Sequence, residues 1–120
     1  MSKFTVTNYG NSKEILKFPD HHVSISVTFD DAGITANADG KKIIPAGTIV
    51  GGGILANRTQ KAVASTEATA AEGVSRYDVD VSYGPAVGAV VIHGFVDLAK
   101  LPVAPTEAQA TALKQITFLK

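Results

Sequence analysis

The 120 residues predict a small, mainly β domain, a mixed, barrel-like arrangement of short strands with one short C-terminal helix. Three features carry that expectation. Residues 22–29 alternate strictly between polar and apolar side chains, the period of a half-buried strand. Residues 87–98 are apolar on both faces, as in a strand covered on two sides. Turn-forming pairs such as Asp39-Gly40 and Gly84-Pro85 punctuate the chain at short intervals, with no internal repeat and no βαβ alternation between them.

The elements follow in chain order. Residues 1–20 show no clean periodicity, and Tyr9-Gly10-Asn11-Ser12 is turn-like, so this segment reads as an N-terminal arm ahead of a single domain over residues 21–120. In the first strand Val23, Ile25, Val27 and Phe29 share one face, while His22, Ser24, Ser26 and Thr28 share the other. A short run through Ile34 and Ala36 then meets Asp39-Gly40, a dipeptide favoured in two-residue type I′ hairpins, so residues 41–44 are expected to pair back. Pro45-Ala46-Gly47 interrupts that strand, and short strands through Thr48-Ile49-Val50 and Ile54-Leu55 flank Gly51-Gly52-Gly53.

Residues 58–73 carry many alanines and almost no large apolar side chain. They read as an exposed loop with one helical turn. Residues 77–83 alternate again, placing Tyr77, Val79, Val81 and Tyr83 together on one strand face. Residues 87–98 are the central strand. Beyond Pro102 and Pro105, Thr106 is an N-cap and Gln109 completes a capping box, which predicts a helix over residues 107–114. Ile116-Thr117-Phe118-Leu119 reads as a terminal strand.

Composition narrows the function. No cysteine is present, which removes disulfides, thiolate metal sites and a cysteine nucleophile. Eleven Lys and Arg balance eleven Asp and Glu, so the chain has no positive field with which to gather nucleic acid. No segment reaches the length of an apolar membrane helix, and the mixed polar and aromatic start Met1-Ser2-Lys3-Phe4-Thr5-Val6-Thr7-Asn8-Tyr9 lacks the core of a signal peptide. The expectation is a soluble protein made in a cytoplasm.

No residue pattern asks for catalysis or a cofactor. His21 and His22 are adjacent and would face opposite ways in a strand, and His93 lies far along the chain. A site joining His93 to Asp78 or Asp80 is weighed against hydrogen-bonded strand histidines and a solvated carboxylate face, and the second reading is preferred. Glu67 and Glu72 read as solvated loop carboxylates. Gly51-Gly52-Gly53 has no following Lys-Ser or Lys-Thr and opens no helix, so it is not a phosphate loop. The chain is expected to be non-enzymatic and to need no metal ion for folding.

Several segments carry a family likeness. They are Asn37-Ala38-Asp39-Gly40-Lys41-Lys42-Ile43-Ile44-Pro45-Ala46-Gly47-Thr48, Tyr77-Asp78-Val79-Asp80-Val81, Val90-Val91-Ile92-His93-Gly94-Phe95-Val96-Asp97-Leu98, and the stretch from Leu101-Pro102 to Ile116-Thr117-Phe118-Leu119. Over residues 34–120 the chain resembles the small head decoration proteins of tailed bacteriophages, akin to that of phage lambda. The resemblance implies a structural protein on the capsid exterior of the virion. It also implies a homotrimer, the major capsid protein as partner, and an N-terminal segment that engages the shell, with no nucleic acid or membrane contact.

On that reading Phe4, Thr5, Val6, Thr7 and Tyr9 are the candidate capsid-binding residues, their main chain adding a strand to a capsid edge. One departure stands out. Arms of the lambda type are flexible and rich in small residues, whereas Phe4, Val6, Tyr9, Ile15, Leu16 and Phe18 make this one apolar enough to pack. The rival readings are a β-rich binding module, disfavoured by the lack of Trp and the presence of only three Tyr, and another phage morphogenesis component such as a tail or connector protein.

Overall fold

The computed structural model describes residues 14–57, 59–66 and 69–120. The strands are β1 (Val23–Phe29), β2 (Ile43–Ile44), β3 (Ile49–Gly51), β4 (Lys61–Ala64), β5 (Ala71–Ser75), β6 (Val79–Asp80), β7 (Ala86–Asp97) and β8 (Ile116–Leu119), with one α-helix, α1 (Glu107–Ala112), and a 3-10 turn at Leu98–Lys100. Five strands in the order β1-β4-β3-β5-β7 close on themselves through the β1–β7 pairing and form a barrel. The pairings are mixed. β1–β4 and β7–β8 are parallel, and the other barrel pairs are antiparallel.

The alternation of β1 does what its period requires from Ile25 to Phe29, whereas Val23, beyond a register shift, is half exposed. Val27 and Phe29 are buried with Ile25 packed beside them, and across the ladder Ile25, Val27 and Phe29 face Val90, Gly88 and Ala86 of β7. The rest of this inner core is Val50, Ala62 and Ile54, capped by Ile44, Val79 and Val81 from the small β2–β6 sheet and its continuation. The barrel is narrow. A Cβ built on Gly73 would overlap Val90 Cγ1 and approach Val91 O to 2.9 Å, and one built on Gly88 would come within 2.7 Å of Phe29. Small residues on the inner wall are therefore what let large ones fill it.

A second core lies outside the β3–β5–β7 wall, where Ile49, Val74, Val91 and Val96 meet Ile15, Leu16, Leu113 and Ile116. β7 is thus covered on both faces, in keeping with its two-sided apolar sequence. Part of the cover comes from the first twenty residues. Ile15 and Leu16 are 0% and 4% exposed, and Leu16 bridges Val96. Across that bridge Asp97 N–H donates to Ile15 O and Lys17 N–H to Phe95 O, each at 2.8 Å. The packed domain therefore reaches back to Ile15, ahead of the boundary expected at residue 21.

Four local expectations are corrected. The short strand expected through Ile54-Leu55 is a turn, leaving β3 to end at Gly51. Residues 58–73, expected as an exposed loop with a helical turn, contribute β4 and the start of β5. Both strands pair with β3, and Ala62 and Ala71 are buried. Pairing on two sides of β3 outweighs alanine's helix propensity, which is a weak prior wherever tertiary contacts compete.

The Asp39-Gly40 turn exists but is not a two-residue type I′ hairpin. Gly40 alone has positive φ (75°), its N–H donates to Asn37 O, and Asn37 N–H donates to Lys41 O. This is a type I turn closed by a glycine bulge, a three-residue loop. Asn37 Oδ1 reinforces it by accepting from Asp39 N–H and Lys41 N–H. Ile43 and Ile44 then pair with Asp80 and Val79, not with the run through Ile34.

The face of residues 77–83 is also narrower than its alternation suggests. Val79 and Val81 are buried, but Tyr77 is exposed and Tyr83 stands fully in solvent on the bend before Pro85. The strand holds its direction only over Val79–Asp80, so both tyrosines leave the buried face.

The helix start is as expected. Gln109 N–H donates to Thr106 Oγ1 at 3.2 Å and Thr106 N–H to Gln109 Oε1 at 3.0 Å, a complete capping box. Because α1 has only six residues and buries none of them, its cap holds a large share of its stability. Thr106→Ala is expected to lower unfolding free energy by about 1 kcal/mol. Urea midpoints of the two proteins check this, and equal midpoints would show that Leu113 alone anchors the helix.

Candidate interaction face

The residues with chemistry gather where the N-terminal segment meets β1 and β7. Gly94 sets up this region. Its φ of 151° lies outside the range of ordinary side chains, and it accompanies a register shift in which Val23 faces His93 while Ser24 faces Val91. A Cβ there would come 3.2 Å from His22 Cβ and 3.3 Å from His21 O, so glycine lets the N-terminal segment lie directly against β7. His93 and Phe95, on either side of this glycine, turn outward.

Four rings then run in sequence across the surface. Phe18 meets Phe95 edge-on at 5.5 Å, Phe95 meets His21 edge-on at 6.2 Å, and His21 lies 5.5 Å from His93 at a tilt of 56°. Edge-to-face contacts of this kind are favoured by the ring quadrupole. Phe18 and Val23 are about half exposed beside them, so the strip is apolar and open to solvent.

A polar clamp fixes the strip from behind. Arg76, just past β5, donates from Nη1 to His22 Nε2 at 2.7 Å and from Nη2 to Glu14 Oε2 at 3.2 Å, and its guanidinium lies 5.1 Å from the Tyr77 ring centre. A guanidinium can only donate, so His22 Nε2 is the acceptor and its Nδ1–H donates to Pro19 O at 2.8 Å. Arg76 thereby ties both ends of residues 14–22 to the barrel. No local sequence signal could reveal this, since Glu14 and Arg76 are far apart along the chain and each is ordinary in its own surroundings.

The carboxylates singled out in the sequence go elsewhere. Asp78 Oδ1 accepts from Ala46 N–H at 2.7 Å and holds the turn before β3. Asp80 Oδ1 accepts from Ser82 N–H at 2.9 Å and from the Ser82 hydroxyl. Ser82's hydroxyl and then its N–H stabilise the ionised form, and the Asp80 carboxyl is held below its ordinary value. A depressed carboxyl contributes stability above the unfolded-state value and loses it as pH falls through the folded one. His93 joins neither aspartate, since its Nδ1 lies 3.1 Å from Gln115 Oε1. Among the described residues no three His, Asp or Glu side chains converge on one point.

Glu72 is a correction, because it is not a solvated loop carboxylate. It sits on β5 and accepts backbone N–H bonds from Gly53, from Ile54 at 3.2 Å and from Leu55 at 3.0 Å. It thus holds the glycine-rich bend after β3 against the barrel and keeps Ile54 in the inner core. Hydrogen bonds to a charged acceptor are worth about 1.5–3 kcal/mol each when buried, and this cluster is partly solvated. Glu72→Ala is expected to cost about 2 kcal/mol, with Glu72→Gln intermediate. Denaturant titration reads both, and a change within the ordinary surface range of about 0.5 kcal/mol would show that the loop holds itself. Glu67, the other carboxylate of that stretch, lies outside the described residues.

The capsid-binding candidates Phe4, Thr5, Val6, Thr7 and Tyr9 also lie outside the described residues. The chain that carries them joins the barrel at Glu14–Leu16, next to the ring strip. Comparison with family models and with curated sequences finds no match, so the reading of this face rests on its own geometry.

Proposed function

We propose that the chain is a non-enzymatic structural protein of a tailed-phage virion, a decoration protein that binds the outside of the expanded head and holds it against internal DNA pressure. Its partners on this reading are the major capsid protein and two further copies of itself. The observation that carries the proposal is the anchoring of residues 14–22. Bridged to Val96 and clamped by Arg76, this segment would present residues 1–13 to a shell from a fixed point beside an apolar strip. A cement needs such a rigid anchor, since a tether that slides transmits no load between capsomers. The likeness of residues 34–120 to the decoration proteins and the balanced net charge support the same reading.

The test is co-sedimentation with expanded heads of the phage concerned. The full chain is expected to pellet with them and a chain begun at Glu14 to stay in the supernatant, both melting alike. Retained binding by the shortened chain removes the role of Phe4, Thr5, Val6, Thr7 and Tyr9. A full chain that ignores shells favours the binding-module reading, for which the fully exposed Tyr83 is the obvious contact.

A further inference from the structure

We propose that His21 and His93 form a two-imidazole chelate for a borderline divalent cation of the zinc type, a site that the capsid reading neither requires nor implies. Three observations carry it. First, the rings are close enough to share an ion, with centres 5.5 Å apart. Two imidazoles sharing a tetrahedral ion at Zn–N distances of about 2.0–2.1 Å have their ring centres about 5 Å apart.

Second, His93 is held in the required tautomer. With Gln115 Oε1 accepting at 3.1 Å, Nδ1 carries the proton and Nε2 keeps a free lone pair. This is the arrangement that orients metal-bound histidines in general, the second ring nitrogen donating to a neighbouring oxygen. Third, both rings are reachable. His21 is exposed and His93 half-buried, whereas His22 has both ring nitrogens committed to Pro19 O and Arg76. The three histidines of the chain therefore divide into a paired, open set and one withdrawn from coordination.

The backbone makes the pair stiff enough to matter. His93 sits on the longest strand of the barrel, opposite Val23, and Gly94 draws the main chain of His21 against β7. Phe95 contacts His21 edge-on, which limits the orientations of its ring. Two protein ligands leave the remaining coordination positions to water or to a donor from another molecule. Such a site would be a surface chelate and not a structural cage, and the fold does not depend on it.

Zinc chloride titrated into the full untagged chain, followed by calorimetry and by NMR of the imidazole carbon-bound protons, tests the site. The expected result is saturable binding of one ion per chain, with the signals of two histidines moving together and the third staying in place. His21→Ala and His93→Ala should each weaken binding at least about tenfold while leaving the circular dichroism spectrum unchanged. Gln115→Leu, which releases the tautomer without removing a ligand, should weaken it by about tenfold. Absence of one-to-one saturation, equal shifts of all three histidines, or full affinity in either alanine variant overturns the proposal.

Discussion

Phe29→Asp is expected to leave the chain unfolded. Phe29 is wholly buried at the end of β1, facing Ala86 across the ladder and filling the barrel between Gly88 and Val79. Removing a buried phenylalanine ring costs about 3–5 kcal/mol through lost transfer energy and the cavity left behind. An aspartate there adds the desolvation of an unpaired polar group, several kcal/mol more. The sum is comparable to the about 5–15 kcal/mol that holds a typical domain together. Circular dichroism and urea titration measure the outcome, with Phe29→Leu as the milder partner expected to stay folded at reduced stability. A cooperative melt in the aspartate variant would mean that the barrel interior admits water, contrary to the close packing at Gly73 and Gly88.

The second large effect concerns where the chain can be cut. A protein begun at Asp20 is expected to lose most of its stability, whereas one begun at Glu14 should melt like the full chain. The difference lies in Ile15 and Leu16, each worth about 1.5–3 kcal/mol when buried. Cutting at Asp20 also removes the bridge to Val96, the hydrogen bonds at Asp97 and Phe95, and the Glu14 partner of Arg76. A loss of about 3–6 kcal/mol corresponds to a fall in Tm of roughly 10–25 °C for a domain of this size. Differential scanning calorimetry of the three proteins separates the cases. If the chain begun at Asp20 melts normally, the second core does not need its N-terminal cover. The chain begun at Glu14 is also the proper reagent for the shell-binding test, because it removes Phe4 to Tyr9 while keeping every described contact.

What can be read in the sequence follows from the range of the signal. β1 and the helix cap announce themselves within eight residues, through the alternation ending at Phe29 and the Thr106–Gln109 pair. β7 is visible because both its faces are apolar, which only double coverage explains. β4 and β5 are hidden for the opposite reason. A narrow barrel takes Ala62, Gly73 and Ser75 on its inner wall, where Ser75 satisfies its hydroxyl on Tyr77 O at 2.8 Å. Small and polar residues in that role look like loop.

The interaction face is less legible than the fold. The arm reads as apolar from its composition, but the packing of Ile15 and Leu16 on Val96, the clamp of Arg76 on Glu14 and His22, and the His21–His93 contact all join residues distant in sequence. Two-residue periodicity says which way a side chain points in its own strand and nothing about which strand arrives opposite. The adjacency of His21 and His93 in space is of this kind, created by the register shift beside Gly94.

The placement of β7 also determines when folding can occur during synthesis. β1 emerges early, yet among the described residues its only partner before β7 is β4, over the two residue pairs Thr28–Lys61 and Phe29–Ala62. Such a short parallel contact cannot hold a seven-residue amphipathic strand. The long antiparallel ladder that secures β1 runs from Phe29–Ala86 to Val23–His93, and the parallel ladder of β8 runs to Asp97–Leu119 at the end of the chain. Barrel closure therefore waits until β7, through His93, has left the ribosome. Topologies dominated by such distant pairings fold in milliseconds to seconds, about a thousandfold slower than helical bundles of similar size. Throughout that interval β1 presents an unpaired apolar edge to its neighbours, so yield in the cell would depend on how crowded nascent chains are and on chaperone supply as much as on final stability.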